Sequence, residues 1–322
     1  MSFSTPRTDA WIHERIRCLG LRPPSGRPVV WHDTTNYMSI ERDHIVNLDG
    51  DLYLVRCNER EGRFGVDEQP KFWVKRAINL STGQTHILKL AIQERFKVSV
   101  GPIEILCVRS AEKESKVLDL VRADARFMQG RSARDSHGNL VRVIDFIRGA
   151  DLLSYLQSVP APHEAYCHTH LPPILAKVAD NIAALERLHE AGLCHGDIRN
   201  DHLLVDRETG SYKWIDFDLD QGAALFDIWS VGNVLHCVVA KGFMTFRDAL
   251  YARPELSGKL TQGDASVFFP HRVMNLRKIY PYLPEKLNQV LLRFSVGMSA
   301  RYDRVSQIAQ ELAECAASWN RP

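Results

Sequence analysis

Paired cysteines are absent from this 322-residue sequence. Its seven cysteines are scattered singly, and no two of them form a Cys-x-x-Cys pair. An odd count without such pairs argues against a disulfide framework and against a zinc ribbon. A reducing compartment suits a chain of this kind, so we expect a cytoplasmic protein.

A strong net charge and a long apolar run are also absent. The formal net charge of +2 is too small to indicate a nucleic-acid-binding protein. The most apolar stretch, residues 226–240, is interrupted by Asp227, Asn233 and His236 and therefore falls short of a membrane span. Residues 1–10 are polar and lack the apolar core of a signal peptide. We expect neither nucleic-acid binding nor membrane insertion.

The order of periodic segments predicts an α+β protein with two lobes. We assign residues 1–48 to an N-terminal extension, 49–145 to a small β-rich lobe with one main helix near 110–121, and 146–322 to a larger helical lobe. Ligands favour the cleft between two such lobes. The five predicted strands of the small lobe are at 52–57, 72–80, 85–90, 125–128 and 140–147. Predicted helices are at 9–18, 172–188, 226–240, 287–294 and 305–312, and a hairpin joins 203–205 to 212–215.

Two aspartates at the ends of this hairpin carry the strongest chemical signal. Asp197 lies in a polar loop before it, and Asp216 follows its second strand. Phosphoryl transfer needs a carboxylate that orients the attacking hydroxyl and cations that neutralise the phosphates. Asp197 suits the first role, and Arg199 is within reach of a transferring phosphate. The alternative is that residues 195–197 form a turn and that Arg199 is a surface charge.

The predicted metal ligand is Asp216. Mg²⁺ takes oxygen ligands and usually uses one or two carboxylates together with phosphate oxygens. Asp218 and Asp220 are weaker candidates, since either is equally well explained as a solvated charge.

Four motifs of the helical lobe resemble those of the eukaryotic-type Ser/Thr protein kinases and their bacterial relatives. They are His195-Gly196-Asp197 with His202 for His-Arg-Asp-x-x-x-x-Asn, Asp216-Phe217-Asp218 for Asp-Phe-Gly, residues 227–232 for Asp-x-Trp-Ser-x-Gly, and Arg301-Tyr302 for the Arg-Tyr between the last two helices. This resemblance covers residues 185–312. It implies a two-lobed protein-kinase-like fold that binds ATP and Mg²⁺. His-Gly-Asp and residues 215–218 also resemble antibiotic phosphotransferases.

In the β-rich lobe the resemblance implies a Lys–Glu pair. Lys89 fits the third-strand lysine that holds the α- and β-phosphates of ATP, and Glu114 begins the inner stripe of the predicted helix. A carboxylate on the inner face of a helix needs a partner, and Lys89 is the obvious one. The alternative is a surface lysine and a first-turn glutamate that the helix dipole favours.

Residues 144–151 resemble the adenine-binding hinge. The resemblance implies that backbone groups of Asp145 and Ile147 meet the base, that Ile144 lies behind it, and that Asp151 contacts the ribose. The same residues are equally typical of a strand end followed by a turn.

The sequence departs from the kinase pattern at the phosphate-covering loop and at the second metal ligand. Gly62 and Gly65 stand where three glycines are expected; backbone amides there can approach a phosphate, although a hairpin turn explains them nearly as well. His202 replaces the asparagine, as in lipopolysaccharide core heptose kinases, and imidazole suits softer metals than Mg²⁺. We therefore predict one firmly bound Mg²⁺ or a preference for Mn²⁺.

A long activation segment is missing. Only ten residues separate Asp216 from Asp227, and no Ala-Pro-Glu occurs among them. Gly196 replaces the arginine that would clamp a phosphate on that segment, so the two losses agree. The same deletion removes the usual platform for a peptide substrate and leaves Arg301 without its expected glutamate.

Two functions fit these observations. The first is an ATP-dependent phosphotransferase whose acceptor is a protein Ser/Thr hydroxyl or a small molecule. The second is a pseudokinase, a nucleotide-binding or scaffold module without catalysis. Retention of Lys89, Glu114, Asp197 and Asp216 favours the first.

Overall fold

The computed structural model describes residues 8–63, 66–100, 103–220 and 224–319. The chain forms two compact units that share its length unevenly. Unit 1 consists of Met1–Glu94, Arg109–Ala123 and Met128–Phe146, and unit 2 consists of Arg95–Val108, Asp124–Phe127 and Ile147–Pro322.

The secondary structure confirms the α+β class. The strands are β1 (Val30–Trp31), β2 (Ile45–Leu48), β3 (Asp51–Arg63), β4 (Val66–Asn79), β5 (Thr85–Lys89), β6 (Arg95–Val100), β7 (Ile103–Arg109), β8 (Gly130–Arg134), β9 (Leu140–Asp145), β10 (Gly149–Asp151), β11 (Leu203–Asp206), β12 (Tyr212–Trp214) and β13 (Leu219–Asp220). The helices are α1 (Asp9–Cys18), α2 (Ala111–Leu120), α3 (Leu152–Ser158), α4 (His163–Thr169), α5 (Leu171–Ala184), α6 (Glu186–Glu190), α7 (Ala224–Ala240), α8 (Phe246–Ala252), α9 (Glu285–Leu292) and α10 (Val305–Trp319).

Unit 1 is built on a seven-stranded sheet in the order β1-β2-β3-β4-β5-β9-β8. The β1–β2 pair is parallel and the other neighbours are antiparallel. The predicted count of five strands is therefore too low. The two additional strands, β1 and β2, come from residues 30–48, which we expected to lie in an extension. They are two and four residues long, too short for a two-residue alternation to be read from the sequence.

Residues 8–48 contribute to the apolar cores of unit 1. Alternate residues of β3 point to opposite faces of the sheet, so Tyr53 and Val55 join one buried cluster while Leu52 and Leu54 join another. The first cluster includes Ile40, Val46 and Leu48 and is bordered by Trp31 and Tyr37. The second includes Ile45 and, from α1, Ile12 and Ile16, one helical turn apart.

The predicted strand at 125–128 is wrong, and the edge of the sheet is β8 instead. Residues 124–127 lie in unit 2, where the carbonyl of Arg126 accepts from the N–H of Trp214 at 2.9 Å and its guanidinium binds Asp124 at 2.9 Å and Asp180 at 3.0 Å. Phe127 forms an isolated parallel bridge with Trp214, also in unit 2. The hairpin β6–β7, which we did not predict, pairs with β13 in unit 2.

The helical part of unit 2 is organised around α5, α7 and α10. Helix α7 is buried along most of its length, as its apolar composition predicts. A Cβ at Gly232 of α7 would lie 2.5 Å from ring carbons of Phe294, so glycine is what allows the ring to pack against the helix. The three-stranded sheet β10-β11-β12 carries the loops that hold Asp197 and Asp216.

Among the helices in the described ranges, none combines the length and the apolar character needed to cross a bilayer.

Candidate active site

The loop before β11 is shaped by a buried carboxylate. Asp227, at the start of α7, is fully buried and accepts hydrogen bonds from the backbone N–H groups of His195 (2.6 Å) and Gly196 (2.8 Å). Its Oδ2 also lies 3.0 Å from Nε2 of His189. Gly196 has φ +85°, a conformation that side-chain-bearing residues rarely adopt, which explains a glycine beside Asp197.

The electrostatics of Asp227 follow from these contacts. Burial by itself would raise its pKa, but the hydrogen bond from His189, the nearby His195 and the N–H of Gly196 outweigh burial and hold the pKa of Asp227 below its usual value. Asp227 therefore stays ionised and fixes the backbone that leads into Asp197.

His202 brings Asp197 and Asp216 to one place. Its Nδ1 lies 2.7 Å from the backbone carbonyl of Asp197 and 3.6 Å from Oδ2 of the same residue, and its Nε2 lies 3.6 Å from Oδ2 of Asp216. A carbonyl oxygen can only accept, so Nδ1 carries the proton. The Nε2 nitrogen then faces the carboxylate of Asp216. The two aspartates that the sequence singled out thus flank one buried imidazole.

Asp216 follows β12 in a left-handed conformation. Its φ of +68° is uncommon for a residue other than glycine, although aspartate adopts it more readily than most. The next side chain, Phe217, is buried with its ring 4.5 Å from His195 and 5.9 Å from Phe127. Asp218 is buried as well. Packing of Phe217 fixes the backbone on which Asp216 is presented.

Arg199 is held by an aspartate that the sequence did not single out. Its Nε donates to Oδ1 of Asp201 at 2.9 Å, its Nη2 pairs with the other oxygen, and its Nη1 lies 3.9 Å from Oδ2 of Asp197. Burial raises the pKa of Asp201, but the hydrogen bond from Arg199 prevails and leaves the pKa below its usual value. The arginine is thus fixed close to Asp197.

Unit 1 contains the predicted Lys–Glu pair and adds a third member. Nζ of Lys89 lies 2.8 Å from Oε1 of Glu114, and Nε of Arg142 donates to Oε2 of the same carboxylate at 3.0 Å. All three side chains are almost fully buried. Lys89 on β5 and Arg142 on β9 are direct cross-strand neighbours, so both reach Glu114 from the same face of the sheet. A carboxylate this deeply buried requires such partners.

The residues compared with a hinge are placed as follows. Ile144 is buried in β9 opposite Ile87, and Asp145 ends that strand with its N–H donating to the carbonyl of Gln129 at 2.9 Å. Ile147 is half-buried. Asp151 caps α3.

The cap at Asp151 uses both oxygens of its carboxylate. Oδ1 accepts from the N–H of Ser154 at 2.9 Å and Oδ2 accepts from its hydroxyl at 2.6 Å. Contact of Asp151 with a ribose stays a prediction. Of the two loop glycines, Gly62 lies in β3, and Gly65 falls outside the described residues.

The side chains around Asp216 suit a metal ion that is shared with a ligand. No group of three or more His, Cys, Asp or Glu side chains in the described part of the chain is placed to hold a metal ion. Mg²⁺ usually takes one or two protein carboxylates and completes its shell with phosphate oxygens and water. Asp216, with its side chain 13% exposed, meets that requirement. Nε2 of His202 is the nitrogen that a softer ion would use.

Sequence reasoning did not assign roles to Asp227, Arg142 and Asp201. Asp227 was noted within a motif, but its contact with the loop 31 residues earlier in the chain has no local signal. Arg142 stands in an apolar strand, 28 residues from Glu114. An arginine in such a strand could have been read as a buried charge that needs a carboxylate.

The chain is similar to known protein kinases, and no protein-family model matches it. It is 31% identical over 96 residues to the probable serine/threonine protein kinase IREH1 of Arabidopsis thaliana, which covers 30% of this chain and 7% of that protein. It is 33% identical over 90 residues to the serine/threonine-protein kinase ppk31 of Schizosaccharomyces pombe, which covers 28% of this chain and 8% of that protein. The match thus spans less than a tenth of either relative.

Similarity to solved structures extends over most of the chain. The kinase PK-1 of Cydia pomonella granulovirus aligns with 81% of this chain and 94% of its own, at 14% identity and a TM-score of 0.50. The PknI kinase domain of Mycobacterium tuberculosis aligns with 82% of this chain at 16% identity and a TM-score of 0.46. The likeness to the viral kinase, at 14% identity, shows the fold alone. The chain has a protein-kinase-like fold, as the sequence motifs predicted.

Proposed function

We propose that this protein is an ATP-dependent phosphotransferase that moves the γ-phosphate of ATP to a hydroxyl group. The observation that carries the proposal is the arrangement in which His202 lies between Asp197 and Asp216, 3.6 Å from a carboxylate oxygen of each. Phosphoryl transfer needs one carboxylate at the attacking hydroxyl and another at the metal. Here the carboxylates of Asp197 and Asp216 lie beside the two nitrogens of one imidazole ring, that of His202.

The residues would divide the chemistry as follows. Asp197 orients the acceptor hydroxyl and takes its proton, and Arg199, fixed by Asp201, neutralises charge on the phosphate in transfer. Asp216 holds Mg²⁺ or Mn²⁺ together with phosphate oxygens, with His202 and Asp218 as further candidate ligands. Lys89, held by Glu114, binds the α- and β-phosphates.

The adenosine part of ATP is assigned to the hinge-like segment. Backbone groups of Asp145 and Ile147 would meet the base, Ile144 would lie behind it, and Asp151 would contact the ribose. Amides near Gly62 and Gly65 would approach the phosphates.

The acceptor is a protein Ser/Thr hydroxyl or a small molecule. The ten residues between Asp216 and Asp227 are too few to form a long peptide-binding segment, which supports an acceptor that does not need one. None of the seven cysteines, all of which lie in the described ranges, forms a disulfide; five are buried, and Cys18 and Cys57 are exposed. Exposed free thiols persist in a reducing compartment, so we place the protein in the cytoplasm.

A pseudokinase is the second candidate, and the position of His202 is the observation that favours it. Imidazole at the place of a metal-binding asparagine is a poor ligand for Mg²⁺. In that case the protein would bind a nucleotide without turning it over and would act as a scaffold.

Transfer of labelled phosphate from ATP distinguishes the two functions. The purified chain is incubated with Mg²⁺ or Mn²⁺, and ATP turnover and label transfer are compared with those of Asp197→Ala. We expect Asp197→Ala to reduce turnover by about a thousandfold, since it removes the group that orients the nucleophile. Glu208→Gln, a change at an exposed hairpin turn, is the matched control and should retain full turnover.

Nucleotide binding is measured in parallel with the same proteins. Binding without turnover, unchanged in Asp197→Ala, would identify a pseudokinase and reject the phosphotransferase.

A further inference from the structure

Arg272 of unit 2 stacks on two aromatic rings. Its guanidinium carbon lies 4.1 Å from the ring centre of Phe243 and 4.0 Å from that of Phe269. These distances are well within the range of cation–π contacts. Stacking engages the faces of the planar guanidinium and leaves its N–H donors, which lie in the plane, for an acceptor.

No acceptor for this guanidinium is found in the described part of the chain. Nε of Arg272 is buried without a hydrogen-bond partner, and its two Nη groups, which reach the surface, form neither a hydrogen bond nor an ion pair with a described residue. Burial lowers the pKa of Arg272, which means that its charge is partly desolvated and not compensated by a carboxylate. Buried polar groups are normally satisfied, so the donors of this guanidinium are available to an acceptor that the described residues do not supply.

A second unmatched donor lies in the same neighbourhood. His236 on α7 is fully buried, and its Nε2 accepts from the N–H of Met244 at 3.0 Å. Burial first, and then the charge of Arg272, lower the pKa of His236 to about 3, so the ring is neutral with its proton on Nδ1. That Nδ1 is buried and has no acceptor among the described residues. The carbonyl of Met244 in turn accepts from the N–H of Val273 at 3.0 Å, which joins the segment of Phe243 to that of Arg272.

The segment of Phe243 adds one exposed cation to this apolar surface. Residues 241–252 carry Lys241, Arg247 and one carboxylate, Asp248. Nζ of Lys241 is bound by the carbonyls of Val159 and Ala161, so Arg247 is the cation that this segment presents to solvent. The side chain of Arg247 is 93% exposed. Phe243 and Phe269 remain 39% and 37% exposed although they stack on the guanidinium. A surface of this kind is complementary to an acidic segment with apolar side chains.

We propose that Arg272, Phe243 and Phe269, together called the Arg272 cluster, form a docking site for a carboxylate-bearing peptide segment of a partner protein. The two Nη groups donate end-on to both oxygens of one carboxylate. The exposed parts of the two phenylalanine rings receive the neighbouring apolar side chain. None of these residues is among the proposed phosphotransfer residues, so the proposal does not depend on their activity.

Binding of a labelled hexaglutamate peptide to the full chain tests the proposal. Fluorescence anisotropy at low ionic strength should show saturable binding, and hexaglutamine should not bind. Arg272→Lys keeps the charge but loses the paired donors, so it should weaken binding by about tenfold or more. Arg247→Gln removes a charge from the same region and should weaken binding by no more than about twofold.

A measurement on the unmodified chain removes any dependence on how the variants fold. Phenylglyoxal modifies accessible arginines, and hexaglutamate should protect Arg272 much more than Arg247, as read by peptide mass spectrometry. Equal binding of hexaglutamate and hexaglutamine, or equal protection of the two arginines, would overturn the proposal. Tenfold tighter binding of a phosphoserine peptide than of hexaglutamate would overturn the choice of a carboxylate.

Discussion

Among single residues, Asp227 has the largest influence on the loop that carries Asp197. Its carboxylate accepts from two consecutive backbone N–H groups, those of His195 and Gly196, and from His189. Because the carboxylate is fully buried, loss of its charge leaves these donors without an equivalent acceptor.

We expect Asp227→Asn to lower the free energy of unfolding by about 2–4 kcal/mol. The folded-state pKa of Asp227 is below its usual value, so its stabilising effect is fully present above the unfolded pKa and is lost as the pH falls through the folded pKa. The difference between wild type and variant should therefore be constant near neutral pH and shrink below pH about 4. Urea unfolding across this range measures it.

Asp119→Asn is the matched control, because Asp119 is exposed in α2 and forms only a surface ion pair with Arg122. It should change the free energy of unfolding by less than about 0.5 kcal/mol at any pH. A difference for Asp227→Asn that persisted unchanged in acid would show that the charge of the carboxylate is not what stabilises the loop.

Individual site residues could be predicted from the sequence where the residues of their motif lie close together in the chain. Asp197, Asp216 and His202 lie within 20 residues of one another, and the structure brings them together around one ring. Lys89 and Glu114 were paired because a buried carboxylate on a helix needs a cation. Arg142 was not predicted, since its contact with Glu114 depends on the strand order β5-β9, which no local pattern reveals.

At the scale of elements, Glu114 joins α2 to two strands of unit 1. One of its carboxylate oxygens binds Lys89 of β5 and the other binds Arg142 of β9. The helix is therefore held to the sheet by buried ion pairs in addition to its apolar face at Val117 and Leu118.

We expect Glu114→Gln to loosen α2 against the sheet. The glutamine carries no charge, so Lys89 and Arg142 stay buried without a carboxylate to pair with. Backbone amides of α2 should then exchange with solvent about tenfold faster or more. Hydrogen–deuterium exchange by mass spectrometry measures the effect. Glu112→Gln, an exposed change two residues earlier on the same helix, should leave the exchange unchanged.

The close packing of α7 leads to a second prediction at this scale. Gly232→Ala places a Cβ 2.5 Å from ring carbons of Phe294, so we expect a loss of about 1–3 kcal/mol in thermal or urea unfolding. Gly232→Ala combined with Phe294→Leu should cost less than the sum of the two single changes, because the smaller side chain relieves the overlap. Additive effects would mean that the ring can move away at no cost.

Helices were predicted more accurately than short strands, for a physical reason. Helix α1 has the predicted bounds Asp9–Cys18, and α7 begins within two residues of the expected start. An apolar stripe repeated over three turns is visible in the sequence. Strand β1 has two residues, and the backbone of the expected strand at 125–128 pairs with Trp214 in unit 2 and not with the sheet, which no local pattern reveals.

At the scale of the whole molecule, residues 8–48 belong to the core of unit 1. Six of their side chains are buried in its two clusters, namely Ile12, Ile16, Ile40, Ile45, Val46 and Leu48. At about 1.5–3 kcal/mol for each buried side chain, their contribution is on the order of 10 kcal/mol, which is comparable with the total stability of a typical domain.

We therefore expect a chain that lacks residues 1–48 to lose the cooperative unfolding of unit 1 and to bind an apolar dye such as ANS. Calorimetry and dye fluorescence test this expectation. A chain that lacks only residues 1–7 retains all the buried side chains named above and should unfold as the full chain does. Full cooperativity after removal of residues 1–48 would contradict the assignment of these residues to the core.

The strand order of unit 1 also has a consequence for synthesis on the ribosome. Strand β9 lies between β5 and β8, although 50 residues separate the end of β5 from the start of β9. At elongation rates of about 5–20 residues per second, the hydrogen-bonding edge of β5 stays unpaired for about 3–10 s while the chain grows. An open edge of this kind is a template for pairing with other chains. Nascent chains should therefore depend on a chaperone during the interval between the emergence of Lys89 and that of Asp145.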